Sequence, residues 1–193
     1  MRVIAGKYGG RPLRAPRGRG TRPTTDRVRE AIFSMLAAPL PEDLEGGELA
    51  GAAVLDLFAG TGALAIEALS RGASRAVLVE RDPPALAALR ANLAELELDA
   101  SEAEVRRADA LAALRDARRR AESYDLVFVD PPYRHAGVLG RELREALPPL
   151  LAPRARVVTE NDRRSEPSLR SPLLVVERER HYGDTTITIQ RRR

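Results

Sequence analysis

The sequence predicts an α/β fold in which a mostly parallel sheet carries helices on both faces. Short apolar runs of four or five residues alternate with longer helical stretches along most of the chain. A glycine turn also follows the first of these runs directly and opens a helix, as in parallel βαβ units. The predicted strands are 53–57, 76–79, 103–106, 125–129 and 155–159, and the predicted helices lie near 62–70, 84–97, 110–121 and 137–150.

A helix and a hairpin are predicted on either side of this alternating region. In "TTDRVREAIFSML" either threonine can cap a helix whose apolar residues recur at helical spacing, namely Val28, Ile32, Met35 and Leu36. Residues 39–51, rich in proline and glycine, form a linker. At the other end, "LLVVERERHYG" and "TTITIQ" are two candidate strands joined through Gly183 and Asp184, which suits a hairpin at the sheet edge.

The composition limits the class of protein. With 193 residues, of which 44% are hydrophobic, the chain suits a single domain. It has no cysteine, which excludes disulfides, thiolate metal sites and a cysteine nucleophile. The start "MRVIAGKYGG" lacks a signal-peptide pattern and no apolar run reaches membrane-spanning length, so we expect a cytoplasmic protein. His135 and His181 have no partners at metal-ligand spacing, and we interpret them as polar surface or loop residues.

Positive charge is concentrated at the N-terminal end. Residues 1–30 hold nine basic residues and two acidic ones, Asp26 and Glu30, which gives a local net charge of +7. Because the whole chain has a net charge of +4, the rest of the chain has a net charge of −3. This asymmetry predicts that residues 1–23 form a basic extension that contacts a polyanion such as nucleic acid. A solvated, arginine-rich tail is the plainer alternative.

The segment "VLDLFAGTGALAIEALSRGA" predicts a nucleotide-type cofactor site. Gly60, Gly62 and Ala65 fit the spacing G-x-G-x-x-A, and Glu80 ends the next strand 18 positions after Gly62. Glycines let the backbone approach a ligand closely, and the carboxylate of Glu80 can accept hydrogen bonds from ribose hydroxyls. The spacing alone does not identify the cofactor.

Two further acidic residues bear on that identity. Asp56 stands just before the glycines, where it would repel the pyrophosphate of a dinucleotide, so it favours S-adenosylmethionine, which carries a sulfonium and an ammonium group and no phosphate. Asp109 follows the third predicted strand in "VRRADAL". It can accept from an adenine amino group or serve as an ordinary helix N-cap, and both interpretations stay open.

The stretch "YDLVFVDPPYRH" predicts a second site at the same edge of the sheet. Asp130 ends the fourth predicted strand, and the following proline pushes it toward extended geometry. Pro131 and Pro132 make a stiff turn with unpaired carbonyl groups. Asp130 and the carbonyl of Pro131 therefore form two neighbouring acceptors, and a planar NH2 group is the natural ligand for them.

Such a pair of acceptors suits methyl transfer to a nucleobase amine. The lone pair of an exocyclic amine is delocalised into the ring, and acceptors that hold its hydrogens direct this lone pair at the methyl group and offset the charge that develops on nitrogen. Tyr133 can stack on the base. Orientation can contribute about 7–11 kcal/mol, so positioning outweighs proton transfer, and either Asp130 or solvent can take the proton.

Taken together, the motifs resemble one known family. "VLDLFAGTGALAIEALSRGA", "VERD", "DLVFVDPPY", the upstream "TRPTTDRVREAIFSML" and the late "HYGDT" are similar to the bacterial 16S ribosomal RNA guanine-N2 methyltransferases of the RsmD type, over nearly the whole chain. The resemblance implies the class I Rossmann-like methyltransferase fold with seven strands, the last antiparallel. It also implies S-adenosylmethionine as methyl donor and a guanine of 16S rRNA as acceptor, within an assembled or partly assembled 30S subunit. We expect a monomer.

The resemblance also implies the site residues. The cofactor contacts fall on Asp56, Phe58, Gly60, Gly62, Glu80 and Asp109, and the catalytic tetrad on Asp130, Pro131, Pro132 and Tyr133. The upstream motif covers Arg22, Pro23, Thr24, Thr25, Asp26 and Arg27, for which we expect a general role in closing the pocket or contacting RNA. With the basic extension, the RNA-binding candidates are Arg14, Arg17, Arg19, Arg22 and Arg27.

Three alternatives to guanine-N2 methylation come from the same motifs. Methylation of adenine N6 in RNA or DNA uses the same acceptor geometry, so the tetrad cannot separate it from guanine-N2 chemistry. A nicotinamide oxidoreductase would also use the glycine turn, although Asp56 and the second motif disfavour it. A non-catalytic RNA-binding module is the third, and the intact "DPPY" argues against it.

Overall fold

A computed structural model describes residues 1–16, 25–37, 49–131, 136–163, 169 and 171–193, with only the backbone described at 136–138. The helices are α1 Asp26–Ala37, α2 Ala63–Ser70, α3 Pro83–Glu95, α4 Ala110–Arg119 and α5 Ala136–Ala146. The strands are β1 Ala53–Asp56, β2 Arg75–Val79, β3 Ala103–Arg106, β4 Tyr124–Val129, β5 Leu151–Asp162, β6 Leu174–Tyr182 and β7 Thr185–Arg192. Among these described helices, none is long and apolar enough to cross a membrane.

The seven strands form one sheet in the order β3-β2-β1-β4-β5-β7-β6. The first five are parallel to one another, and β7 lies antiparallel between β5 and β6. The chain builds the sheet outward from β1 to β3 and then returns to place β4 on the other side of β1. The predicted fold class is therefore confirmed, and the order of strands reverses between β1 and β4, where open α/β sheets bind their ligands.

The two faces of the sheet pack against different helices. Alternate residues of each central strand point to opposite faces, so Val54 belongs to one core and Leu55 to the other. The first core lies under α1, α2 and α3, where Phe33 of α1 packs on Phe128 with ring centroids 5.9 Å apart. The second core lies under α4 and α5 and includes Leu114.

Most predicted elements are present, with some boundaries that differ from the prediction. The predicted helix 137–150 ends at Ala146 because two prolines follow, and Pro148–Leu150 forms a single 3-10 turn. The predicted strand 155–159 extends over Leu151–Asp162 because its later half pairs with β7. The predicted C-terminal hairpin is confirmed, and β6 is the edge strand. Of the predicted linker 39–51, residues 39–48 lie outside the described residues.

The first sixteen residues pack against α2 and α3. The carboxylate of Glu67, fully buried in α2, accepts hydrogen bonds from the backbone N–H groups of Ile4 at 2.7 Å and Ala5 at 3.0 Å. Val3 and Leu13 are buried in the first core. The described part of the predicted extension 1–23 is therefore joined to the body of the protein, and residues 17–23 lie outside the described residues.

The direction of α1 brings its first turn to the carboxyl edge of the sheet. The Arg156 side chain, near the start of the paired part of β5, donates to the carbonyl of Leu36 at the C-terminal end of α1, at 2.8 Å. Phe33, which precedes Leu36 in α1, packs on Phe128, and Phe128 is nearer the carboxyl end of the strands than Arg156 is. The helix α1 therefore runs in the opposite direction to β4 and β5. Its N-terminal residue, Asp26, therefore points toward the edge where these parallel strands end.

Candidate active site

The candidate site residues converge where β1 to β4 end. The turn after β1 is bonded to both neighbouring strands, since Leu57 N–H donates to Phe128 of β4 at 3.1 Å and Ala59 N–H donates to Val79 of β2 at 2.9 Å. Neighbouring strands lie about 4.8 Å apart, so β3 to β4 spans roughly 14 Å along this edge. That length is comparable with the length of an extended adenosyl ligand.

The two glycines of the turn have different physical roles. Gly62 has φ 83°, and a Cβ there would lie 2.4 Å from Leu89 Cδ1, so this glycine is required by helix packing. Gly60 has φ 54°, and the nearest atom to a Cβ there would be the carbonyl oxygen of Phe58 at 4.0 Å. The structure thus leaves open space at Gly60 for a ligand, whereas Gly62 lies against the core.

Glu80 fixes the shape of this turn. Its carboxylate accepts from the backbone N–H groups of Gly60 at 2.8 Å, Arg81 at 2.7 Å and Asp82 at 2.7 Å. The backbone of Glu80 in turn donates to the carbonyl of Arg106 at the end of β3, at 3.1 Å. The protein's own hydrogen bonds therefore hold this half-buried carboxylate beside the glycine turn. Its predicted contact with ribose hydroxyls remains a prediction.

Asp56 is a buried acid of the site. Its residue is 2% exposed, and its carboxylate accepts from the N–H of Phe58 at 3.3 Å. Burial, with a smaller contribution from the nearby charge of Glu80, raises the pKa of Asp56 to about 7. Phe58 packs against the second core. A buried carboxyl group beside a second carboxylate favours a cationic ligand, because the cation would offset both charges.

Asp109 is confirmed as the N-cap of α4. Its side chain accepts from the N–H of Ala112 at 2.9 Å, and the residue is exposed at the carboxyl end of β3. A capping carboxylate keeps further acceptor capacity, so this geometry is compatible with the contact to an adenine amino group that the motif predicts. That contact remains a prediction.

The acceptor corner follows β4 directly. Asp130 is half-buried, and Pro131 is buried. In the β1–β4 register Asp56 lies beside Phe128, which places Asp130 two residues further toward the edge on the neighbouring strand. Pro132 and Tyr133, the other two members of the predicted tetrad, lie outside the described residues.

One acidic residue of this edge was missed by the sequence analysis. Asp56, Glu80 and Asp130 each come two positions after a residue of the first core, and so does Glu160 near the end of β5; those core residues are Val54, Leu78, Phe128 and Val158. Side chains two apart in a strand share a face, so four neighbouring strands present acids on one face. The signal was present in "VVTEND", where a charged residue interrupts an apolar strand.

Of the five RNA-binding candidates, the structure describes two. Arg14 is exposed, and its backbone N–H donates to Asn92 Oδ1 at 2.7 Å, while Asn92 Nδ2 donates to the carbonyl of Thr61 in the glycine turn at 2.9 Å. Arg27 is exposed in the first turn of α1. Both therefore lie toward the carboxyl edge. Arg17, Arg19 and Arg22 lie outside the described residues.

Comparison with known proteins identifies the family of this chain. A family model described as "Conserved hypothetical protein 95" matches residues 1–191. The chain belongs to this family. The chain is similar to "Putative rRNA methyltransferase YlbH" of Bacillus subtilis, 39% identical over 198 residues, which are 100% of both chains. "Ribosomal RNA small subunit methyltransferase D" of Escherichia coli is 42% identical over 134 residues, which are 69% of this chain and 61% of that protein.

A similar solved structure agrees with the fold described above. "Putative methyltransferase yhhF from Escherichia coli" superposes with a TM-score of 0.80 at 36% identity, covering 100% of this chain and 97% of that one. The resemblance to the RsmD-type methyltransferases is thereby confirmed, and so is the class I Rossmann-like fold. This superposition covers the N-terminal segment as well as the sheet.

Proposed function

We propose that the protein transfers a methyl group from S-adenosylmethionine to the exocyclic N2 amine of a guanine in 16S rRNA of the small ribosomal subunit. The observation that carries the proposal is the set of acids on one face of the sheet at the β1–β4 switch point, with buried Asp56 at its centre. Its relatives in Bacillus subtilis and Escherichia coli bear the names of rRNA methyltransferases, which supports rRNA as the substrate.

The charge of this edge decides between two cofactor classes. A dinucleotide would bring its anionic pyrophosphate to the turn between Asp56 and Gly60, where the carboxyl groups of Asp56 and Glu80 already repel each other. S-adenosylmethionine brings a sulfonium and an ammonium group instead. We therefore assign Asp56, Phe58, Gly60 and Glu80 to this ligand, with Gly62 holding the turn and Asp109 at its adenine end.

The acceptor corner would orient the guanine amine. When bound, the cofactor supplies an electrophilic methyl group and departs as a neutral thioether. Asp130 and the Pro131 carbonyl would accept the two amine hydrogens, which aims the nitrogen lone pair and offsets the positive charge that develops on it. The proton then leaves to Asp130 or to solvent. Pro132 would keep the corner rigid, and Tyr133 would stack on the base.

Substitution of the acceptor carboxylate tests the proposal. We expect Asp130→Ala to abolish methyl transfer while S-adenosylmethionine affinity stays within a few-fold, because Asp130 contacts the amine and not the cofactor. Asp125→Ala is the matched control, since Asp125 is the second residue of β4, at the end of the strand opposite to Asp130, where it accepts from Ala53 N–H at 2.9 Å. Transfer is measured by nucleoside mass spectrometry of small-subunit RNA and of 30S subunits, and affinity by calorimetry.

The same measurements separate the alternative functions. N6-methyladenosine in place of N2-methylguanosine would show that the enzyme is an adenine methyltransferase of the kind the tetrad also permits. Binding of NAD without binding of S-adenosylmethionine would contradict methyl transfer altogether. Full activity in Asp130→Ala would contradict the acceptor role. Activity on 30S subunits but not on free RNA would support the ribosomal particle as the partner.

A further inference from the structure

Strand β5 brings a second carboxylate beside the acceptor corner. The β4–β5 register pairs Phe128 with Val158 and Val129, the last residue of β4, with Thr159. Asp130 follows Val129 and Glu160 follows Thr159, so the same register continued by one residue would set Asp130 beside Glu160. Neighbouring strands lie about 4.8 Å apart, which is the separation expected for the two backbones. Glu160 is half-buried, as Asp130 is. The two acids thus lie side by side at the mouth of the site.

The alternation of β5 selects Glu160 among the polar residues at its end. Val158 belongs to the first core, so Glu160, two residues later, lies on the face that also presents Asp56 and Asp130. Asn161 lies on the opposite face, where its side chain donates to Thr159 Oγ1 at 3.3 Å. Of these neighbouring polar residues, Glu160 is therefore the one placed to meet a base held by Asp130.

We propose that Glu160 selects guanine over adenine by accepting a hydrogen bond from the N1–H group of the target base. This inference rests on the proposed function and deepens it. Guanine carries the N1–H donor directly beside the N2 amine that Asp130 would hold, so one edge of the base offers donors to both carboxylates. Adenine carries an unprotonated N1 beside its N6 amine, so its lone pair would face the carboxylate of Glu160.

The energetic reason is the cost of two facing acceptors. A guanine edge would donate one hydrogen bond to Asp130 and one to Glu160. An adenine edge would donate to Asp130 but would turn the lone pair of N1 toward the carboxylate of Glu160, and two facing acceptors repel each other. Sites built to hydrogen-bond a donor reject ligands that lack it. One such bidentate readout is equivalent to a discrimination of about 10- to 100-fold.

A base analogue tests this contact without altering the protein. After mass spectrometry has mapped the methylated guanine, the same RNA is prepared with 2-aminopurine at that position. 2-Aminopurine keeps the 2-amino group but has an unprotonated N1. We expect the unaltered enzyme to show a kcat/KM about 10- to 100-fold lower on 2-aminopurine RNA than on guanine RNA. Equal rates on the two RNAs would overturn the proposal.

A variant shows whether Glu160 is the residue responsible. The amide of Glu160→Gln can accept from N1–H or donate to an unprotonated N1, so we expect the guanine to 2-aminopurine ratio to fall to within about threefold of unity. Glu179→Gln is the matched control, since Glu179 lies on β6 and accepts from Thr188 Oγ1 at 3.2 Å. Thermal denaturation and S-adenosylmethionine calorimetry confirm folding and cofactor binding in both variants.

The outcomes separate this inference from the proposed function. If the unaltered enzyme makes no N2-methylguanosine, the proposed function is wrong and the role of Glu160 falls with it. If it makes N2-methylguanosine but Glu160→Gln keeps the full preference for guanine, only the role of Glu160 is wrong. A preference lost in Glu160→Gln and kept in Glu179→Gln supports both.

Discussion

Replacement of the buried acid by its neutral isostere, Asp56→Asn, separates cofactor binding from stability. Asp56 is 2% exposed, and burial raises its pKa from the ordinary value of 3.8 to about 7. Asparagine has nearly the same shape, and its carbonyl oxygen can still accept from the N–H of Phe58, as Asp56 does at 3.3 Å. The substitution therefore removes a titrating charge with little change in packing.

The size of the effect follows from the two pKa values of Asp56. A folded-state pKa above the unfolded one means that folding takes up a proton, so this group lowers the free energy of unfolding as pH rises from about 4 to about 7. A difference of about three pH units is equivalent to about 4 kcal/mol when the loss is complete. About 2.5 kcal/mol of it falls between pH 5 and pH 8.

Urea denaturation between pH 5 and pH 8 measures this term. We expect the free energy of unfolding of the unaltered protein to fall by about 2.5 kcal/mol relative to Asp56→Asn over that range. Asp184→Asn, in the exposed β6–β7 turn, is the control and should follow the unaltered protein. Parallel pH profiles for Asp56→Asn and the unaltered protein would refute the raised pKa. Because a cation favours ionised Asp56, affinity for S-adenosylmethionine should rise from pH 6 to pH 8 only where Asp56 is present.

Two further predictions concern the glycine turn and the RNA contact. Gly62→Ala should lower the free energy of unfolding by about 2–3 kcal/mol, because its Cβ would enter the core and its φ is left-handed. Gly60→Ala should lower the free energy of unfolding by about 1 kcal/mol and chiefly weaken cofactor binding. Urea denaturation measures the loss of stability in each variant, and calorimetry measures the cofactor affinity. Neutralising Arg14, Arg17 and Arg19 together should weaken RNA binding and flatten its dependence on salt concentration, and an unchanged salt slope would place the RNA contact elsewhere.

Arg29 is a basic residue that the charge pattern alone counted toward the basic N-terminal end. Its side chain, however, is fully buried in α1. There it donates to the carbonyl of Arg2 and to Asp26 at 3.0 Å, and it lies 3.9 Å from Glu67. The composition shows only that a charge is present. The packing of α1 on α2 and on the N-terminal segment turns this one into an internal link between them.

The sequence by itself determined the local features of this protein. Apolar spacing specified the alternating strands and helices, Asp109 was recognised as a possible helix N-cap, and the proline after Asp130 predicts an extended corner. These features depend on neighbours within a few residues, where backbone sterics and hydrogen bonding act. The prolines after Ala146 limited a helix for the same local reason.

Only the tertiary structure decided which distant residues meet. It set β5 beside β4 in a register that brings Glu160 next to Asp130, and it separated the packing role of Gly62 from the open position of Gly60. It also buried Asp56 and so raised its pKa. Strand neighbours, register and burial arise from contacts between residues far apart in the chain, and the free energy of those contacts depends on the whole packed core and not on the local sequence.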